Sequence, residues 1–175
     1  MSNDHYFSVS SYYKALCKTH IPLDPANRFD LAFSLMWKID VPLKVRAFRW
    51  RCFWNRIPTK DLLNHRGILP PSTNLLCAFC NVLPEFSCHS LLDCQKVVGV
   101  WKEIAGWLGL PHVVNVGFKE CFLSWRNSCL FLKFKGGEEG CAWLAVLWSL
   151  WICRNDIFFK EGEWNARDVS WNCKV

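Results

Sequence analysis

Apolar residues recur along most of this chain at spacings of three and four, the period of an amphipathic helix. The clearest case runs from Leu43 to about Ile57. There Leu43, Ala47, Trp50, Trp54 and Ile57 draw one stripe, and Val45, Phe48 and Cys52 draw a second on nearly the opposite side. The pattern predicts a helix sandwiched between two apolar neighbours, opened at Pro42 and stopped by Pro58. Upstream, Asp30 is placed to cap a helix reaching Lys38, with Leu31, Leu35 and Trp37 partly buried. Before that, Phe7 to Leu16 reads as a strand-like entry and a short helix capped by Ser8 or Ser10, broken by Pro22, Pro25 and Asn27.

Downstream, Thr59 can cap a short helix through Asn64 that ends at Gly67. Val97, Trp101, Ile104 and Leu108 keep helical spacing up to Gly109, with Trp101 expected to pack near the cysteine and histidine cluster that precedes this helix. A further helix is expected from Phe118 to about Phe131, followed by a break at Gly136, Gly137 and Gly140. The last strong element covers Cys141 to Phe159 with Trp143, Leu147, Leu150 and Trp151 inside, and the polar stretch after Gly162 reads as a disordered tail. The expected fold class is all-α: a small helical domain over residues 5–110, a helical extension over 111–160, and the tail over 161–175.

Composition narrows this picture. At 175 residues the chain can hold one domain with a substantial core. Its 51% apolar content, with 11 Trp and 13 Phe, excludes a disordered class. The run from Cys141 to Cys153 is short of the roughly 20 residues that span a bilayer, so a membrane role is not expected. Eleven cysteines without a regular framework, and a polar start without an apolar secretory segment, argue for a reducing, intracellular compartment.

Four residues change the reading from fold to chemistry. Cys77, Cys80, His89 and Cys94 form the pattern C-x2-C-x8-H-x4-C. Zinc prefers thiolate sulfur and imidazole nitrogen in a tetrahedron, and four protein ligands leave no position for water or substrate. The expected cofactor is therefore one structural Zn2+. The two-residue gap of the first pair suits a tight turn that aims both sulfurs at one ion. The second pair is harder, because residues five apart on a regular helix are rotated by about 140°. His89 is accordingly expected on a helix and Cys94 at its frayed end. Cys88 offers an alternative set with Cys77, Cys80 and Cys94, and ordinary buried thiols or a disulfide are the plain alternative to a metal.

The formal charge is +6. Most of the excess lies between Lys38 and Arg66, where Lys44, Arg46, Arg49, Arg51, Arg56 and Lys60 face only Asp40 and Asp61. Those six side chains are candidates for phosphate contacts with RNA or DNA, and Phe79 in the ligand loop is a candidate for stacking on an unpaired base. A solvated helix face explains the same charges without a ligand, and the helical spacing of the tryptophans favours core over stacking platforms.

The ordered series Phe7-Ser8-Val9, Tyr13-Lys14, Trp37-Lys38, Val41-Pro42-Leu43-Lys44-Val45, Phe48-Arg49-Trp50, Asn55-Arg56-Ile57-Pro58-Thr59, Arg66-Gly67-Ile68, Cys77-x2-Cys80, Glu85, His89-x4-Cys94 and Trp101 resembles one known family. It is the zinc-binding domain associated with reverse transcriptases in plant LINE-type (non-LTR) retroelements. Trp148-x2-Trp151-x2-Arg154-Asn155 resembles the segment that often follows it. The resemblance carries the ligand set over to Cys77, Cys80, His89 and Cys94, although Ser90 replaces the family's usual leucine and Cys88 is unusual. It also implies reverse transcriptase or ribonuclease H domains as partners.

Clustered carboxylates for two-metal phosphoryl chemistry are missing, and so is a phosphate-cradling glycine loop with its lysine. The expectation is a noncatalytic module that binds nucleic acid. The alternatives are a scaffolding module, docked through the apolar helix of Cys141 to Phe159, and a decayed fragment without present activity.

Overall fold

The computed structural model describes residues 28–111, 117–129 and 138–174. Within them lie α1 (Arg28–Trp37), α2 (Leu43–Phe53), α3 (Lys60–His65), a π-helical turn (His89–Asp93), α4 (Gln95–Trp107), α5 (Phe118–Cys129), α6 (Glu138–Lys160) and α7 (Ala166–Lys174). The only β pairing among the described residues is an isolated bridge between Leu76 and Pro84. The all-α expectation holds. The expected elements before Arg28, and the glycines Gly136 and Gly137, lie outside the described residues.

Helix α6 is central. It packs against α2, α4, α5, α7 and the π-helical turn, with Trp143, Leu144, Val146, Leu147 and Leu150 buried. The aromatic ring of Trp143 joins three neighbours at once. Its centroid lies 6.1 Å from Phe53 of α2, 5.1 Å from Phe122 of α5 and 6.4 Å from Trp101 of α4. The apolar helix is thus a core element and not an unpartnered docking face. Gly140 does not break it, since α6 already starts at Glu138. A Cβ there would come within 2.4 Å of Ile39 Cδ1, so the glycine permits close approach to the chain after α1.

Helix α2 departs from expectation in two ways. It ends at Phe53, four residues before Ile57, because Asn55 takes a left-handed conformation (φ 51). The N–H of Asn55 then donates to Cys52 O, and that of Arg56 to Arg51 O at 2.7 Å, the hydrogen-bond pair of a Schellman C-cap. The helix is also not sandwiched. Val45, Phe48 and Cys52 are buried against α6, where Phe48 meets Trp148 and Trp151 at 5.3 and 5.9 Å. The other stripe faces outward over most of its length, with Leu43 77% and Trp54 50% exposed, whereas Ile57, beyond the helix end, is buried.

In α1 the buried positions are Ala32 and Met36, while Leu31 and Trp37 are exposed. Asp30 is the third residue of that helix and not its cap. Helices α3 and α4 both end in Schellman caps, with Gly67 (φ 66) and Gly109 (φ 70) in the left-handed position. These positions favour glycine because a Cβ is strained there.

The segment expected as a disordered tail contains α7, which packs on α6 and α4. Its Val169 and Ser170 are buried. Glu103 of α4 accepts from Ser170 Oγ and Lys174 Nζ, each at 2.8 Å. No helix among the described residues is long and apolar enough to cross a membrane.

Candidate metal centre

The residues around Cys77 and Cys80 fold back on themselves. Cys77 N–H donates to Leu83 O at 2.7 Å, Glu85 N–H to Leu75 O and Asn81 N–H to Cys77 O, each at 2.9 Å. Asn81 turns the chain in a left-handed conformation (φ 54), which asparagine tolerates better than most residues. The result is a tight loop whose two sulfurs face the same side.

The second pair converges by a different device. Cys94 N–H donates to His89 O at 2.8 Å, the i→i+5 bond of a π-helical turn. That widened turn brings the fifth residue back over the first, where a regular helix would leave the pair apart. Cys94 then caps α4 with extended ψ (133°). The histidine is helical and Cys94 sits at the helix end, as expected, but through π-winding and not fraying.

Together Cys77, Cys80, His89 and Cys94 place their ligand atoms within 4.8 Å of one another. His89 Nε2 lies 3.4 Å from Cys80 Sγ. Zinc–sulfur bonds of about 2.3 Å in a tetrahedron set sulfurs roughly 3.8 Å apart, so the cluster is already near the required size. Cys88 is outside this group. Its thiol is raised by burial and by the Asp93 charge, and it takes a backbone hydrogen bond from Phe118 on α5.

The donor chemistry fits zinc. Cys77 and Cys94 share a hydrogen bond that holds the Cys77 thiol well below its ordinary range, with further help from the backbone N–H groups of Cys80 and Phe79 and from Ser90. Cys94, the donor of that bond, is raised correspondingly. One thiolate is therefore stabilised before any cation arrives, and a bound divalent cation would favour the deprotonated form of the others. All described cysteines are free thiols. Zinc bound by these four residues would supply structural cross-linking, joining the loop to the start of α4.

The surroundings fix the loop from behind. Glu85 is completely buried and accepts from Lys60 N–H at 2.9 Å and from Ala78 N–H, between the first two ligands, at 3.2 Å. Its other partner is Arg154 of α6, whose Nε and Nη2 lie 3.0 and 2.5 Å from Glu85 Oε1. Arg154 is also buried, between Trp151 and Phe158 at 5.2 and 4.6 Å. Trp101 does pack beside the centre, donating from Nε1 to Leu91 O within the π-helical turn at 2.9 Å. Motif spacing alone did not reveal the Glu85–Arg154 pair. Its available signal was a lone acid between apolar residues and a cation at the end of the long apolar run.

The basic candidates divide. Lys44, Arg51 and Arg56 are exposed on or just beyond α2. Arg46 is half-buried, with Nη2 3.5 Å from Asp40. Arg49 and Lys60 are not at the surface. Arg49 is fully buried, gives Nη1 to Ile39 O at 3.0 Å and stacks under Trp37 at 5.2 Å. Lys60 gives Nζ to Leu76 O at 2.8 Å, and burial, reinforced by Arg154, lowers its pKa against the opposing pull of Glu85. Phe79 is buried against Trp164, centroids 4.7 Å apart, so it is not available for stacking.

Comparison with known proteins agrees with this centre. Residues 7–101 match the family model described as zinc-binding in reverse transcriptase. A protein of Arabidopsis thaliana named as a ribonuclease H protein is 29% identical over 168 residues, covering 91% of this chain and 24% of its own length. The chain thus spans about a quarter of that curated relative. No solved structure matches. With more than half of its length inside the family model and the four ligands gathered at one point, the chain belongs to the family of zinc-binding domains of reverse transcriptase.

Proposed function

We propose that this chain is a noncatalytic zinc-pinned module of a plant LINE-type retroelement that holds nucleic acid beside a reverse transcriptase. The observation carrying this reading is the outer side of α2. That side carries Lys44, Arg46 and Arg51, the helix Leu43–Phe53 has no acidic residue, and the exposed Arg56 follows three residues beyond its end. Cations on a rigid helix attract phosphates with little sequence preference and strong salt dependence. A structural role for the metal is supported by the ligand set, because four protein ligands close the coordination sphere.

The test is binding of short RNA and DNA oligonucleotides at rising salt. The reading predicts affinity that falls steeply with salt and falls again in Arg51→Glu and Arg56→Glu, while Lys102→Glu on α4 leaves it nearly unchanged. Salt-insensitive binding, or equal loss in all three variants, would contradict it.

A second reading is docking on a reverse transcriptase or ribonuclease H domain. It is supported by the ribonuclease H name of the much longer relative and by the exposed apolar side chains Val82, Leu83 and Phe86 at the tip of the ligand loop. Association with such a domain, lost on Val82→Asp and Leu83→Asp, would favour it.

A further inference from the structure

The outward stripe of α2 is not a plain solvated face. Leu43, Arg46, Ala47, Trp50 and Arg51 follow one another at helical spacing, and with Trp37 of α1 they line an open groove of about 470 Å³. Trp37 is 52% exposed and Trp50 37%, although indoles of this size usually lie mostly inside. Every charged residue lining the groove is a cation. A cation also lies near each indole. Arg49 lies 5.2 Å from the Trp37 centroid and Arg56 5.9 Å from that of Trp50. Arg49 is fully buried, and its Nε and Nη2 have no hydrogen-bond partner among the described residues. Because a guanidinium stays protonated, it adds positive potential behind the groove. Asp40 is the acidic neighbour, 3.5 Å from Arg46.

We propose that Trp37 and Trp50 form a stacking site for unpaired bases of single-stranded nucleic acid, with Arg46 and Arg51 taking the flanking phosphates. This rests on the nucleic-acid reading above and narrows it. A single strand offers flat rings and regularly spaced anions together, which is what this surface complements. A duplex keeps its bases stacked inside and would meet only the cations. An acidic peptide would satisfy the cations and leave the indoles unmatched.

The test uses the full zinc-loaded chain and four probes: single-stranded RNA, single-stranded DNA, a DNA duplex, and an abasic DNA strand that retains only sugars and phosphates. Trp37→Ala and Trp50→Ala are each expected to weaken single-strand binding about tenfold, within the range of one base–aromatic stack. Duplex and abasic binding should not change. Trp50→Phe should recover part of the loss, and Trp171→Ala, an exposed tryptophan of α7, should have no effect. Zinc content and helical circular dichroism equal to the parent chain establish that each variant is folded. Equal loss with RNA and DNA, or loss with one alone, supports the proposal and names the strand.

Trp variants that bind single strands normally, while Arg51→Glu weakens all four probes, would overturn stacking and leave the nucleic-acid reading intact. Failure of the parent chain to bind any probe would overturn both. Displacement of the single strand by a polyglutamate peptide at equal concentration would overturn the proposal in favour of an acidic protein surface.

Discussion

Glu85 accepts from two backbone N–H groups and two nitrogens of Arg154, so removing either charged partner strands the other away from water. Breaking a buried pair from one side costs about 3–5 kcal/mol, whereas removing both charges costs much less. Arg154→Met should therefore lower unfolding stability by about that amount in a denaturant titration. Combined with Glu85→Gln, which keeps one acceptor oxygen for one of the Lys60 and Ala78 N–H groups, it should cost less than the sum of the two single variants. A double variant at the sum of the single costs would contradict the pairing. Glu85 stands in the sequence as an isolated charge between apolar residues, whereas Arg154 ends an apolar run two residues before Asp156. Their partnership spans 69 positions and is set by how α6 crosses the ligand loop, so local pattern could not supply it. The same limit applies to Arg49 and Lys60. A cation's place in the sequence does not say whether a carbonyl such as Ile39 O or Leu76 O waits for it inside.

At the scale of elements, periodicity located the helices better than it oriented them. Both stripes of α2 are apolar enough to be buried. The choice between them is made by α6, whose Trp148 and Trp151 receive Phe48. Helix α7 escaped because its composition is polar, and it docks through few buried residues and a charged contact to Glu103. That contact gives a pH dependence. Hydrogen bonds from Lys174 and Ser170 hold the Glu103 carboxyl below the usual range. A carboxylate with a depressed folded pKa contributes stability above its unfolded value, about 4.3 for glutamate, and the contribution is lost as pH falls through the folded pKa. Helix α7 should thus exchange its amide hydrogens faster, relative to α4 and α6, as pH falls below about 4, and Glu103→Gln should abolish this acid-specific change. Unaltered relative exchange across that window would contradict it.

For the whole molecule, the described helices other than α3 share one buried cluster running from Ala32 to Val169, and the ligand loop is attached to it at three places. His89 and Cys94 lead directly into α4, Glu85 binds Arg154 of α6, and Phe79 packs on Trp164 beyond α6. The zinc pattern was legible in the sequence because ligand types and the C-x2-C gap follow from coordination chemistry. The π-helical turn was not, because spacing argued only that a regular helix fails. Metal binding in such a site is coupled to folding and competes with protons for the thiolates. The most direct test of the account is zinc content by native mass spectrometry of the purified chain, beside His89→Ala, Cys94→Ala and Cys88→Ser. The account predicts one zinc in the parent chain and in Cys88→Ser, and loss of tight binding in the other two. A folded chain without metal, or zinc retained in Cys94→Ala and lost in Cys88→Ser, would contradict it.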